Sequence, residues 1–208
     1  MSKPLGTFAP DSPAWHDARR WRIGGSEIAQ VCGQSPWGTA DDLLAAKLAG
    51  PDATRRPSKA QERGTALEPA VLAWVCAREG LDLDPVASAA TYVHPDLDWA
   101  LYNPDGIDRG GALIEIKTTA DRCAERGWGK ARTDQIPAHY AAQVQWGMGV
   151  LGLDRCVLGV LHGATNGRPD LDLAVYRIGF DADLFRLLTG FGRRFIDRLN
   201  LARKDLAA

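Results

Sequence analysis

The strongest constraint on the fold is a change of period near residue 87. Upstream, apolar residues recur at helical spacing, as do Leu67, Val71, Leu72 and Val75 in RGTALEPAVLAWV, which gathers them on one stripe of a helix. Downstream the period falls to two. SAATYV, DWALYN and ALIEIKT are short strand-like segments separated by His94-Pro95-Asp96 and by Asp108-Arg109-Gly110-Gly111, both turn compositions. The spacing predicts an antiparallel meander packed under helices, hence an α/β chain.

The remaining punctuation fills in the order. Residues 1–13 read as an extended lead-in, and 15–28 as a helix, a Gly24-Gly25 break and a second helix start that puts Ser26 near a helix N-terminus. Ser35-Pro36-Trp37-Gly38 is a turn, and Thr39 with Asp42 forms a capping box opening a helix that Gly50 ends. Residues 51–63, with Arg55, Arg56, Lys59 and Arg63, read as a basic loop, either solvated or touching a polyanion, before a helix that carries Glu68 to about Arg78. A helix over 137–151 has Pro137 as its first residue. Strands RCVLGVLH and LDLAVYRIGF flank a turn region at 163–170, and an amphipathic helix over 181–203 follows.

Composition narrows the class without choosing a partner. With 45% apolar and 25% charged residues the chain reads as one globular domain, and no apolar run nears the ~20 residues needed to cross a bilayer. The start, MSKPLGTFAPDSP, lacks the charged-then-apolar order of a secretory signal, so a cytoplasmic location is expected. A formal charge of −1 means that any nucleic-acid site must be a local cluster. Cys32, Cys76, Cys123 and Cys156 form no CxxC pair, which fits reduced thiols and argues against an iron–sulfur cluster.

The chemically informative stretch is Asn103-Pro104-Asp105-Gly106, followed by Glu115-Ile116-Lys117. Strand alternation puts Glu115 and Lys117 on one face and Ile114 and Ile116 on the other. Unpaired buried charge is costly, so a Glu and a Lys on an otherwise apolar strand point to a site. Two carboxylates are the hard oxygen donors that Mg²⁺ prefers, and an amine beside them can orient a water for attack on a phosphodiester. Taken alone, the same spacing also describes a surface ion pair.

Around it lie WHDARRWRIGGSE with SPWGTADDLL, then RGTALEPAVL, NPDGID with LIEIKTT, and IPAHYAAQVQWGM, in that order over roughly residues 15–160. In these blocks the chain resembles the lambda-exonuclease and YqaJ-type viral recombinase nucleases of the PD-(D/E)xK superfamily. The resemblance implies a restriction-endonuclease-like core, a mixed, mainly antiparallel central sheet flanked by helices. It implies one exonuclease domain over 1–208, with an N-terminal helical part (1–86), a catalytic sheet and helix (87–180) and a C-terminal helix (181–208). It makes Asp105, Glu115, the Ile116 carbonyl and Glu68 the metal-binding groups, Lys117 the catalytic lysine and Gln143 an active-site amide. Arg19 and Ser26 match the residues that grip a terminal 5′-phosphate. Tyr140 lies three residues from Gln143, hence on one helix face with it, and is expected to contact the DNA there. Of the seven tryptophans, Trp37 is the one placed to stack on a frayed DNA end, the others reading as core or interface anchors. For Glu68 the plain alternative is a first-turn acid favoured by the helix dipole.

The implied activity is Mg²⁺-dependent hydrolysis of double-stranded DNA ends, 5′ to 3′, with one or two ions and Mn²⁺ as a substitute. The implied partners are DNA ends, a single-strand annealing protein and two further copies in a trimer. A restriction-type or structure-specific endonuclease, or a non-catalytic DNA-end-binding module, are the alternatives on the same core.

Overall fold

Pro104 ends the meander that the alternation predicts. Proline has no N–H to give to a ladder, and between Tyr102 and Gly106 the chain leaves one sheet and enters another. The computed structural model describes residues 2–51, 56–120, 126–165 and 168–207. One sheet is β1 (Lys3–Gly6), β2 (Thr91–His94) and β3 (Leu97–Tyr102), all antiparallel. The lead-in therefore supplies an edge strand, with Lys3 opposite Val93. The other runs β4 (Gly106–Asp108), β5 (Ala112–Thr119), β6 (Arg155–Thr165), β7 (Arg168–Gly179), and only β5 and β6 are parallel. The α/β class and the mixed, mainly antiparallel sheet are as expected, but the single meander is replaced by two sheets.

The helices follow their caps. After α1 (Pro13–Arg20) the chain breaks at Gly24 and re-enters α2 (Gly25–Val31), so Ser26 does sit in a first turn. Thr39 and Asp42 cap α3 (Ala40–Ala49) reciprocally, and Gly50 ends it at φ 84°. Helix α4 (Lys59–Glu79) opens on a second capping box, Ser58 with Gln61, inside the stretch expected to be loop. Lys59 and Arg63 are consequently exposed helical residues, Glu68 lies in mid-helix rather than in a first turn, and Arg55 falls outside the described residues. After the short α5 (Pro85–Ser88), Pro137 proves to be the N-cap of α6 (Ala138–Leu151), with extended ψ of 141°, rather than its first helical residue. The turn between β6 and β7 is shorter than 163–170, with residues 166–167 outside the described set, and α7 (Ala182–Ala207) runs past the expected end.

Parallel neighbours need a long crossover, and α6 provides it between β5 and β6. Ile114 and Ile116 point one way and pack with Val71 and Val75 of α4. Leu113, Leu158 and Val160 point the other way and pack with Val144, Trp146 and Met148 of α6 and with Leu188, Phe195 and Leu199 of α7. Each such side chain fully buried contributes about 1.5–3 kcal/mol. The alternation thus aims Glu115 and Lys117 at α6. Among the described cysteines Cys32, Cys76 and Cys156 are free and Cys156 is buried, while Cys123 lies outside the described residues. No helix among the described residues is long and apolar enough to cross a membrane.

Candidate active site

Glu115 is 1% exposed in mid-strand, where a carboxylate is tolerable only if it is well partnered. Its Oε1 accepts from Lys117 Nζ at 2.6 Å and from Gln143 Nε2 at 2.5 Å, and its Oε2 accepts from Tyr102 Oη at 2.7 Å. Gln143 therefore spends its amide on Glu115. The short β4 pairs with β5 as far as Gly106 opposite Ile114. Just before it, Asp105 Oδ2 takes the place of a strand and accepts the Ile116 N–H at 2.7 Å. A strand residue presents its N–H and C=O to the same edge, so the Ile116 carbonyl faces the Asp105 side. Tyr140 is buried, with Lys117 Nζ 5.8 Å from its ring centre.

Negative charge exceeds positive charge here. Burial, then Glu115, push the Asp105 carboxyl well above the ordinary range; Lys117 and the Ile116 N–H oppose this only in part, and Glu68 adds to it. Glu68, exposed on α4 and with no hydrogen bond or ion pair among the described residues, is raised by partial desolvation and by Glu115, against the pull of Lys117. Burial on its own would depress the Lys117 ammonium, but Glu115 and Asp105 outweigh it and hold the group above its usual value. Among the described residues no three His, Cys, Asp or Glu side chains cluster as a ready-made metal cage. That fits Mg²⁺, which typically takes one or two carboxylates and completes its shell with water and phosphate oxygens. Asp105 Oδ1 accepts no hydrogen bond from the described residues, so Asp105, Glu115 and the Ile116 carbonyl form a donor set such an ion suits.

A second charged cluster lies at the start of α2. Arg19 donates to Asn103 Oδ1 at 3.2 Å and to Ser26 Oγ at 3.5 Å, and its guanidinium stacks 4.4 Å above Trp15. Behind it Glu27 accepts the Gly24 N–H at 2.7 Å and faces Lys47 Nζ at 3.0 Å and Arg19 at 3.8 Å. Lys47, 6% exposed, also donates to the Arg19 carbonyl at 3.1 Å. Burial alone would raise the Glu27 carboxyl, yet Lys47 and Arg19 hold it below the usual range. Arg20 and Arg22 are engaged elsewhere: Arg20 on the carbonyls of Lys47 and Leu48, Arg22 on those of Ala18 and Asp98. The structure thus brings Arg19, not its neighbours, to Ser26.

Trp37 is 70% exposed and packs edge-on against His139, with ring centres 4.9 Å apart, and near Tyr140. Trp99 and Trp146 are buried, but Trp74 is also half exposed. Sequence reasoning passed over Tyr102, Glu27 and Lys47, and gave Asn103 of the informative stretch no role of its own. A signal existed for Lys47, four residues after the buried Leu43 and so on the core-facing side of α3. It existed also for Glu27, three residues after the N-cap Gly24.

Comparison with known proteins bears on this geometry. The YqaJ-like viral recombinase domain matches residues 14–154. The chain is 31% identical over 139 residues to the uncharacterized protein YqaJ of Bacillus subtilis (strain 168); the match takes in 66% of this chain but only 42% of that protein. Among solved structures it is similar to the alkaline exonuclease LHK-Exo of Laribacter hongkongensis, with TM-score 0.70, 20% identity, and coverage of 94% of this chain and 96% of that one. A phage related exonuclease of Haemophilus somnus 129PT has TM-score 0.60 and 13% identity, covering 87% and 96%. At these identities the two structures establish a shared fold.

Proposed function

The chain belongs to the YqaJ-like viral recombinase family, and from that premise we propose that it is a divalent-metal-dependent deoxyribonuclease that shortens double-stranded DNA from its 5′ ends. The observation that carries this reading is the convergence of Asp105, Glu115 and Lys117: Glu115 and Lys117 share one face of β5, and Asp105 is fixed to the intervening Ile116 N–H. The fold shared with two proteins described as exonucleases supports it.

When bound, Mg²⁺ supplies Lewis-acid stabilisation of the charge that builds up on the scissile phosphate and makes a neighbouring water more acidic. Asp105, Glu115 and the Ile116 carbonyl hold the ion, and Glu68 stands by as a further acid. Lys117 orients the attacking water. Its oxygen bonds to phosphorus while the P–O3′ bond breaks, and the departing 3′ oxygen takes up a proton. Gln143 keeps Glu115 in place, and Tyr140 lines the Lys117 side. Arg19 and Ser26 seat the terminal 5′-phosphate, for which a guanidinium fork is well shaped, and Trp37 offers an exposed ring for a frayed base. Each cut leaves a fresh 5′-phosphate on the shortened strand, ready for the same seat. In this reading the exposed single strand passes to an annealing protein, the nuclease works as a trimer in the cytoplasm, and Mn²⁺ can replace Mg²⁺.

End-labelled linear duplex and covalently closed DNA, each with Mg²⁺ and with EDTA, test the proposal. The expected result is degradation of the linear form only, abolished by EDTA. Cutting of closed circles would replace it with an endonuclease, and binding of ends without any cleavage would replace it with a non-catalytic end-binding module.

A further inference from the structure

Tyr102 closes β3 where the chain changes sheets, and it is 1% exposed. Its ring occupies a slot that two glycines make possible. A Cβ on Gly25, the first residue of α2, would lie 2.2 Å from Tyr102 Cε2, and one on Gly147 of α6 would lie 2.4 Å from Cζ. No real side-chain carbon approaches a ring that closely, so any other residue at either position would displace the ring. Two helices thus clamp the aromatic plane and deliver its hydroxyl to Glu115 Oε2 at 2.7 Å.

Packing does not explain the hydroxyl. Phenylalanine would fill the same slot, and a buried O–H is costly without a partner; here the partner is the Glu115 carboxylate. Counting lone pairs shows what the contact does. Each carboxylate oxygen can accept about two hydrogen bonds. Oε1 already has two donors, Lys117 and Gln143, and Oε2 has one, Tyr102. Among the described residues one acceptor position on Oε2 is left over, and its direction is set because the other three are held by groups on β3, β5 and α6.

We infer that Tyr102 is a positioning residue of the metal site: clamped between Gly25 and Gly147, its O–H sets the rotation of the Glu115 carboxylate and leaves one lone pair of Oε2 directed at a divalent cation. The inference rests on the reading of Glu115 as a metal ligand. Groups that orient ligands in this way typically contribute about 10–100-fold to metal affinity or activity.

The experiment uses Mn²⁺ as the probe, titrated into the full chain without DNA and followed by its electron paramagnetic resonance signal, in wild type and Tyr102→Phe. The ring stays in its slot, so retention of a 5′-phosphorylated duplex in EDTA should match wild type, and the melting temperature should fall only by the loss of one hydrogen bond to the buried Glu115 carboxylate. Mn²⁺ affinity should fall ~10-fold or more, and cleavage lost at low metal should return as the metal concentration rises. Gly147→Ala, which moves the ring without removing the hydroxyl, should weaken Mn²⁺ binding in the same direction. Mn²⁺ affinity in Tyr102→Phe equal to wild type overturns the inference and leaves the nuclease reading intact. A parallel drop in melting temperature, DNA retention and metal affinity overturns it by making the hydroxyl a packing group. Wild-type protein that takes up no Mn²⁺ overturns the metal reading, and this inference with it.

Discussion

The two charged clusters are made of similar groups in opposite proportion. Around Glu27 one carboxylate faces two cations, Lys47 and Arg19. Around Lys117 one cation faces three carboxylates, Glu115, Asp105 and Glu68. The first balance holds the part-buried Glu27 carboxyl below its ordinary range, whereas the second drives Asp105 well above it. One cluster is thus short of an anion and the other of a cation, which are the complements that a terminal phosphate and a divalent metal supply. A chain whose formal charge totals −1 conceals both.

The widest break in this contrast would come from removing a carboxylate at the negative cluster. Asp105→Ala should abolish Mn²⁺ uptake and cut cleavage about 10³-fold or more, since metal stabilisation of the reacting phosphate amounts to several kcal/mol; undiminished Mn²⁺ binding would place the ion elsewhere. At the positive cluster the first effect is on folding. Lys47→Met leaves the part-buried Glu27 carboxylate to Arg19 and the Gly24 N–H, and the loss should approach but not exceed the about 3–5 kcal/mol that removing one partner of a fully buried pair costs, measurable by denaturant titration. The same pair has an acid limit: because the folded Glu27 value is depressed, its contribution is present above the ordinary carboxylate range and is lost as pH falls through the folded value. A Lys47→Met protein as stable as wild type would show that Arg19 alone satisfies Glu27.

Smaller effects sharpen the comparison. Lys117→Ala should slow cleavage about 10²-fold while duplex retention stays near wild type, because the amine acts on water rather than on the strand; wild-type rates in a folded variant would remove Lys117 from the chemistry. Arg19→Ala should erase most of the preference for 5′-phosphate over 5′-hydroxyl ends, a loss of about 1.5–3 kcal/mol, with Mn²⁺ binding untouched. Equal rates on both kinds of end in wild type would deny the positive cluster its anion.

What could be read in the sequence follows the range of the interaction. The α3 caps and the opposed directions of Glu115 and Ile116 are local and emerge from spacing alone. The failures are long-range or concern competing signals. Nothing near Lys3 announces a partner at Val93, and the alternation on either side of Pro104 hides that the two halves join different sheets. The charges of 51–63 outweighed Ser58-Lys59-Ala60-Gln61, whose spacing already marks a helix start. At the site, motif positions such as Asp105 and Glu115 could be named in advance, but their supports could not. Tyr102 reads as the end of a buried strand until Gly25 and Gly147, distant in sequence, prove to frame its ring.

The segment where the chain changes sheets also works as a gauge. Asn103 is bonded to Arg19 in the positive cluster, and Asp105 belongs to the negative one. The residue between them is a proline, whose φ is locked by its ring. Two residues of extended chain span at most about 7 Å, against roughly 3.4 Å of rise per nucleotide in one DNA strand. On the proposed reading, a residue that holds the phosphate-seating arginine and a metal-binding carboxylate therefore sit two residues apart on the backbone, however firmly the rest of the duplex is gripped. That short covalent link ties the two clusters together within three consecutive residues, and the length distribution of the released fragments tests whether it shapes product size.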